Sequence, residues 1–290
     1  MVIQSESNSP RMSHPCFVGE ALAELEADGA MAVAGGTWVM RAPLRHEPAA
    51  GRLVALHRIE GFQRLDTAGD AISIGPLATH DMLVRHLPRT EDVKVLRVAA
   101  ERAANPGVRR IATIGGNIAT SAFAASDLAP ALLSLDAEIE IADTGGSRSL
   151  TIEDFLGQRA AFQRPWLVTA ITVPRGKRLT AHERLPMRRA GDYPSAIVSV
   201  SVDIDDAGLL HDVRIGVGAV EAVARRWNRL EQALAGRRPE EAEEAARDLV
   251  GDFTGRDAVD APGWYRTSVL PALVRRAFAS IAAGQAGNRT

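Results

Sequence analysis

Two glycine pairs stand where short apolar segments end: Ala34-Gly35-Gly36-Thr37-Trp38-Val39 and Thr113-Ile114-Gly115-Gly116-Asn117-Ile118. A Gly-Gly pair lets the backbone take positive φ and brings N–H groups close to a bound anion. Successive N–H groups in such a turn form a nest that suits phosphate. Thr37, Thr113 and Asn117 add side-chain donors at the same places. Two such loops could grip both phosphates of a dinucleotide without lysine or metal, although either pair alone is well explained as a tight turn. Other devices are scarce. Only Lys94 and Lys177 are lysines among the 34 basic residues, so Schiff-base and phosphate-loop lysine chemistry have almost no candidates. No HExxH, GxxxxGK[ST] or GxSxG occurs. The 7 histidines lack metal-ligand spacing, and the nearest pair, His80 and His86, would face different directions on a helix. Gly216-Val217-Gly218 begins like a dinucleotide fingerprint but lacks the third glycine and ends a strand, so it reads as structural.

Composition bounds the remaining possibilities. At 290 residues the chain is about two domains of ~100–200 residues each. Hydrophobic residues at 46% and charged residues at 24% are ordinary for a globular protein. A net charge of -2 argues against an electrostatic nucleic-acid binder, and 4% aromatics against base-stacking platforms. A single cysteine, Cys16, excludes a disulfide framework and any cysteine-ligated cluster held by this chain alone. The polar start MVIQSESNSPRMSHP has no apolar core of a secretory signal. No run approaches the ~18 apolar residues of a membrane span. A cytoplasmic protein is expected, and a lone thiol fits a reducing compartment.

Around the glycine pairs, short helices and strands alternate. Phe17–Asp28 has helical spacing of Val18, Leu22 and Leu25, and Ala30–Ala34 is a short strand. Arg52–Leu56 and Ala71–Ile74 are further strands, Thr79 caps a helix through His86, and Glu91–Ala104 is a helix stopped by Asn105-Pro106. Asp127 is placed to N-cap Leu128–Leu135. Ala137, Ile139 and Ile141 alternate as a strand, Gly145-Gly146 turns, Thr151 with Asp154 forms a loose capping box, and Leu167–Val173 is a strand. Composition shifts at Pro174-Arg175-Gly176-Lys177, the expected boundary between domains 1–176 and 177–290. Beyond it, strands at about Glu183–Arg189, Ala196–Ile204 and Leu210–Ala219 come in series, joined by an Asp205–Gly208 hairpin turn. They suggest an antiparallel three-stranded sheet with helices Arg225–Ala235, Pro239–Val250 and Trp264–Ala282 on one face. Pro271 should kink or interrupt the last helix.

These residues resemble the FAD-binding (medium) subunits of molybdenum hydroxylases, the xanthine dehydrogenase and carbon monoxide dehydrogenase type. Ala34–Val39 is similar to the family's "AGGTxL" loop. Val108–Ile118 followed by Ser126–Ala137 is a close match to its "TIGGNI…DLxPALLAL" segment, the most specific of the set. Leu167–Pro174, Arg184–Tyr193, Val213–Gly218 and Tyr265-Arg266 match weaker motifs in the family's order. Three departures stand out: Ser121–Ser126 replaces a proline-containing approach to Asp127, Trp166 stands where glutamate is usual, and Arg184 where lysine is usual.

The resemblance implies an α+β fold: a two-lobed FAD-binding module of the vanillyl-alcohol-oxidase (PCMH) type, with lobes of roughly 1–56 and 57–176, then the C-terminal sheet-and-helix domain. It implies that the backbone of Ala32, Val33, Ala34, Gly35, Gly36, Thr37, Trp38 and Val39, with that of Thr113, Ile114, Gly115, Gly116 and Asn117, holds the FAD diphosphate. Thr120 joins the same cofactor-binding set, Asp127 hydrogen-bonds the cofactor, Val168 packs near the isoalloxazine, Arg184 lies near the flavin and Ala103 lines it. No side chain here would be catalytic and none would bind metal. The molybdenum cofactor would sit on a large partner subunit and two [2Fe–2S] clusters on a small one, in a dimer of heterotrimers. FAD would relay electrons to NAD+, oxygen or another acceptor. Rival readings are a self-sufficient flavin oxidase or reductase and a flavin-free scaffold subunit. No histidine adjoins either glycine loop to tether flavin, which weighs against the oxidase.

Overall fold

A computed structural model describes residues 11–48, 50–187 and 193–288. The first ten residues, and Arg188–Asp192 of the Arg184–Tyr193 motif, lie outside the described residues. Three sheets follow one another along the chain, each over its own hydrophobic cluster.

The first is a parallel three-stranded sheet in the order β1-β3-β2: β1 (Arg11–Ser13), β2 (Ala30–Val33) and β3 (Arg52–Ala55). Helix α1 (Val18–Leu25) buries Ala21 and Leu22 against Val54 and Leu56. The second sheet is antiparallel, in the order β4-β5-β8-β6-β7: β4 (Leu65–Asp66), β5 (Ala71–Ile74), β6 (Glu138–Asp143), β7 (Gly146–Thr151) and β8 (Trp166–Pro174). Along β6, Ile139 and Ile141 are buried while Glu138 and Glu140 face solvent. That alternation fixes the register, because a one-residue slip would expose two side chains whose burial is each worth ~1.5–3 kcal/mol. Its helices are α2 (His80–His86), α3 (Lys94–Arg102), α4 (Pro106–Arg109), α5 (Ile114–Ala119), α6 (Leu128–Ser134) and α7 (Ile152–Gln158). Thr79 and Thr151 cap α2 and α7 through their hydroxyls, as expected. The segment Glu91–Val93 is a 3-10 turn ahead of α3 rather than part of it.

The C-terminal sheet has four antiparallel strands, not three, in the order β12-β11-β10-β9: β9 (Leu179–Pro186), β10 (Pro194–Ile204), β11 (Leu210–Gly218) and β12 (Arg225–Arg226). β12 occupies the start of the expected Arg225 helix. Its two residues pair with Val217 and Gly216, a tertiary pairing too short to leave a period in the sequence. Helix α8 (Asn228–Leu234) begins after it, followed by α9 (Ala242–Leu249), α10 (Gly263–Ser268) and α11 (Leu270–Asn288). The expected Trp264–Ala282 helix is thus two helices, and Pro271 falls in the first turn of α11, where its missing N–H costs nothing.

Val198, Val200 and Val202 of β10 pack under α8, α9 and α11. The strand's other face, with Ser199 and Ser201, is also buried, and α3 and α6 of the preceding module lie against this sheet. Gly216 and Gly218 serve that contact. A Cβ on Gly216 would stand 2.1 Å from the Pro130 carbonyl oxygen of α6.

Candidate functional site

A cavity of about 840 Å³ opens where β2, α5, β8 and the loops around them converge. Its volume lies in the ~300–1,000 Å³ range of cofactor sites. Its wall contains every residue the resemblance singled out except Val33, Ile114 and Arg184. The exceptions have local reasons. Val33, the last residue of β2, lies toward the Gly36 turn, its Cγ1 3.9 Å from where a Cβ on that glycine would stand. Ile114 is fully buried in the core of the second sheet. Arg184 approaches from β9, behind the wall.

The two glycine pairs lie side by side, and they are built differently. Gly35 packs so tightly on Ile111 that a Cβ would sit 1.8 Å from its carbonyl oxygen. Gly36 takes φ +70°. Among the described residues no hydrogen bond is donated by the N–H groups of Gly35, Gly36, Thr37 or Trp38. Four successive backbone donors are therefore available at the cavity wall for an anion. A 3-10 helix, Val39–Arg45, closes the loop, and the Arg45 guanidinium lies over the Trp38 ring at 3.9 Å.

The second pair opens helix α5, where a tight turn or a positive-φ phosphate loop was expected. The Thr113 hydroxyl caps it, accepting from Gly116 N–H at 3.2 Å. Ile114 N–H donates to Ala78 O and Gly115 N–H to Pro76 O, both at 2.9 Å, and Asn117 N–H donates to Thr113 O at 2.9 Å. Every amide from 114 to 117 is thus already paired within the protein. A Cβ on Gly115 would stand 2.6 Å from Pro76. These glycines bring α5 against the loop after β5 and leave the Asn117 side chain and the helix start along the cavity.

Asp127 also departs from expectation. It occupies the N-cap position of α6, but the cap is supplied by Ser126, whose hydroxyl accepts from Ala129 N–H at 3.1 Å. The same hydroxyl donates to Asn117 Oδ1 at 2.5 Å. The Asp127 carboxylate, 2% exposed, instead accepts from Arg184 Nε at 2.8 Å and meets His182 Nε2 at 3.3 Å. A carboxylate buried this deeply requires such partners.

Several lining residues escaped the sequence reading. Phe123, within the segment that departs from the family pattern, packs tilted and edge-on between Trp38 and Tyr193, with centroids 5.3 and 5.4 Å away. Arg41 donates to the Tyr193 hydroxyl at 3.2 Å. His80 contributes its ring to the wall, and its Nδ1 donates to Ala112 O at 2.8 Å. Burial holds the imidazole below the ordinary histidine range, against the pull of that hydrogen bond and of Asp127. His80 is therefore neutral at pH 7, with Nε2 as an acceptor. Trp166 is wedged edge-on between Phe155 and Phe162. Among the described residues no group of His, Cys, Asp and Glu is arranged to hold a metal ion. No described helix is long and apolar enough to cross a membrane.

The cavity suits FAD on its own terms: unpaired amides for a diphosphate, an apolar stretch from Ala103 to Val168 for a ring system, and one buried carboxylate for a polar edge. Residues 8–176 match the family model described as the FAD binding domain in molybdopterin dehydrogenase. The chain belongs to the FAD-binding medium subunits of molybdenum hydroxylases. Residues 183–281 match the carbon monoxide dehydrogenase flavoprotein C-terminal domain. The nicotine 6-hydroxylase medium subunit of Paenarthrobacter nicotinovorans is 26% identical over 97% of this chain and 98% of the relative. The glyceraldehyde dehydrogenase medium chain of Sulfolobus acidocaldarius is 27% identical over 91% and 95%. Among solved structures, carbon monoxide dehydrogenase from Hydrogenophaga pseudoflava, in a form lacking the Mo-pyranopterin moiety of its cofactor, superposes with a TM-score of 0.86 at 25% identity. It covers 94% of this chain and 97% of that one. This medium subunit is accordingly an oxidoreductase component carrying an FAD-binding domain on an α+β, PCMH-type fold followed by an antiparallel sheet.

Proposed function

We propose that this chain is the electron-transferring flavoprotein of a heterotrimeric molybdenum hydroxylase, assembled as a dimer of heterotrimers in the cytoplasm. Substrate oxidation belongs to a large molybdenum-cofactor subunit. A small subunit with [2Fe–2S] clusters delivers the electrons, and NAD+, oxygen or another acceptor removes them. Residues 1–176 form the flavin module and 177–290 the domain that backs it. Bound FAD supplies the redox chemistry. The protein's part is to hold and surround it.

The observation that carries this reading is the run of N–H groups from Gly35 to Trp38, without acceptors among the described residues, on a cavity that also holds the buried Asp127 carboxylate. The amides neutralise a diphosphate without a lysine. Thr37 and Asn117 extend that grip, while Ala103, Thr120 and Val168 shape the walls further along. Gly115, Gly116 and Thr113 place α5 so that its start borders the same space. Arg184 acts through Asp127 rather than directly. The row Trp38, Phe123 and Tyr193 lines the same cavity.

Purification of the full chain tests this. An absorption band near ~450 nm, at one flavin per chain, is expected. Isolation of the native assembly should bring a large and a small chain, with molybdenum and iron. A chain that takes up no FAD on reconstitution, or that turns over substrate alone, overturns the reading.

A further inference from the structure

The Asp127 carboxylate is held by the other module of the chain. Arg184 and His182 both lie on β9, two residues apart and so on the same face of that strand. Both reach the same oxygen, Oδ1, at 2.8 and 3.3 Å. His182 is in turn held by β10: its Nδ1 lies 2.9 Å from the Ser199 hydroxyl. His182, Ser199 and Asp127 are 3%, 0% and 2% exposed. A carboxylate only accepts, so Nε2 donates to Asp127, while the Ser199 hydroxyl, which can donate or accept, partners Nδ1. The result is a hydrogen-bonded chain from β10 through β9 to the cavity wall. Ser199 has no route to solvent, so the arrangement is not a nucleophile and its base.

Arg184 alone satisfies the need for a countercharge. His182 adds something a second cation would not: a rigid ring, clamped at both nitrogens, that restricts where Oδ1 can move. We propose that His182 is a positioning residue for the flavin site, which holds the Asp127 carboxylate against the cofactor from the C-terminal sheet. The proposal rests on Asp127 contacting FAD, as read above. A carboxylate free to swing would bind a cofactor edge less well and would change the field that the flavin feels.

The test uses the full chain, FAD titration and the midpoint potential of the bound flavin. His182→Phe keeps the ring's bulk and loses both hydrogen bonds. FAD affinity should fall about tenfold, in line with loss of one hydrogen bond to a charged group, and the midpoint potential should move. His182→Gln, whose Nε2 can replace the imidazole donor, should stay within about threefold of wild type with its potential unchanged. Ser199→Ala should fall between them. In an Asp127→Ala background, His182→Phe should cause no further loss, because the effect passes through Asp127. A His182→Phe chain that binds FAD like wild type, or a His182→Gln chain as weak as His182→Phe, overturns the proposal and assigns His182 to packing. Asp127→Ala binding FAD at wild-type affinity would instead overturn the underlying reading of the site. If Asp127→Ala does not fold, the Phe–Gln contrast in affinity and potential decides alone.

Discussion

The loops at Gly35-Gly36 and Gly115-Gly116 share a sequence signature and share one cavity, yet they work by different physics. At the first, the glycines free the backbone: Gly36 takes a left-handed conformation, Gly35 fits against a carbonyl, and four N–H groups find no partner among the described residues. At the second, every amide has an acceptor within the protein and the glycines admit a neighbouring chain segment. A glycine pair is therefore a statement about closeness. Whether that closeness serves a ligand or the core is decided by where the N–H groups go.

Substitutions can separate the two uses. The largest effect is expected at Gly35→Val. Its Cβ cannot coexist with the Ile111 carbonyl, so the loop must move and lose its grip. FAD affinity measured by titration should fall more than about 100-fold, roughly 3 kcal/mol, with a smaller change in melting temperature. Equal affinity in that variant would break the contrast. Gly115→Ala should do the reverse. Forcing a methyl against Pro76 is overpacking and should cost about 1–3 kcal/mol in denaturant unfolding of the apoprotein, with FAD affinity reduced less than by Gly35→Val. Thr113→Val removes the cap of α5 and should cost about 1 kcal/mol in the same unfolding measurement, while the affinity of flavin changes little.

The smallest effect concerns His80, which braces the second loop through Ala112. Its folded-state pKa is depressed by burial, so below an unfolded pKa of ~6.5 the unfolded chain binds a proton that the folded chain does not. Stability should then fall as pH drops below that value, by at most ~1.4 kcal/mol per pH unit. His80→Gln should flatten that slope in melts between neutral and mildly acidic pH. An unchanged slope would mean that His80 does not carry it.

Much of this site was legible along the chain. The "AGGT" and "TIGGN" segments announced a shared cavity because both patterns are local. What could not be read were outcomes settled by distant partners. Asp127 precedes an apolar helix and so has the sequence of a cap, but Ser126 beside it took that role once Arg184 and His182 claimed the carboxylate. Nothing within the stretch around His182 hints at a carboxylate 55 positions earlier. Residues Arg225–Arg226 became a strand because β11 offered an open edge. Phe123 sits in the segment that departs from the family pattern, and its ring partners lie far away in the sequence.

The strand β10, covered by helices on both faces, ties these parts together in a way that bears on how the molecule opens. Its amides from Ala196 to Val202 have no wet side from which exchange could begin. Deuterium should enter them last, and only when the second and third sheets come apart together. A chain severed near residue 176 would leave the Pro130 side of α6 bare on one fragment and the seryl face of β10 bare on the other. The two families of sequence that meet in this polypeptide should therefore unfold as one cooperative unit, in a single transition by denaturant.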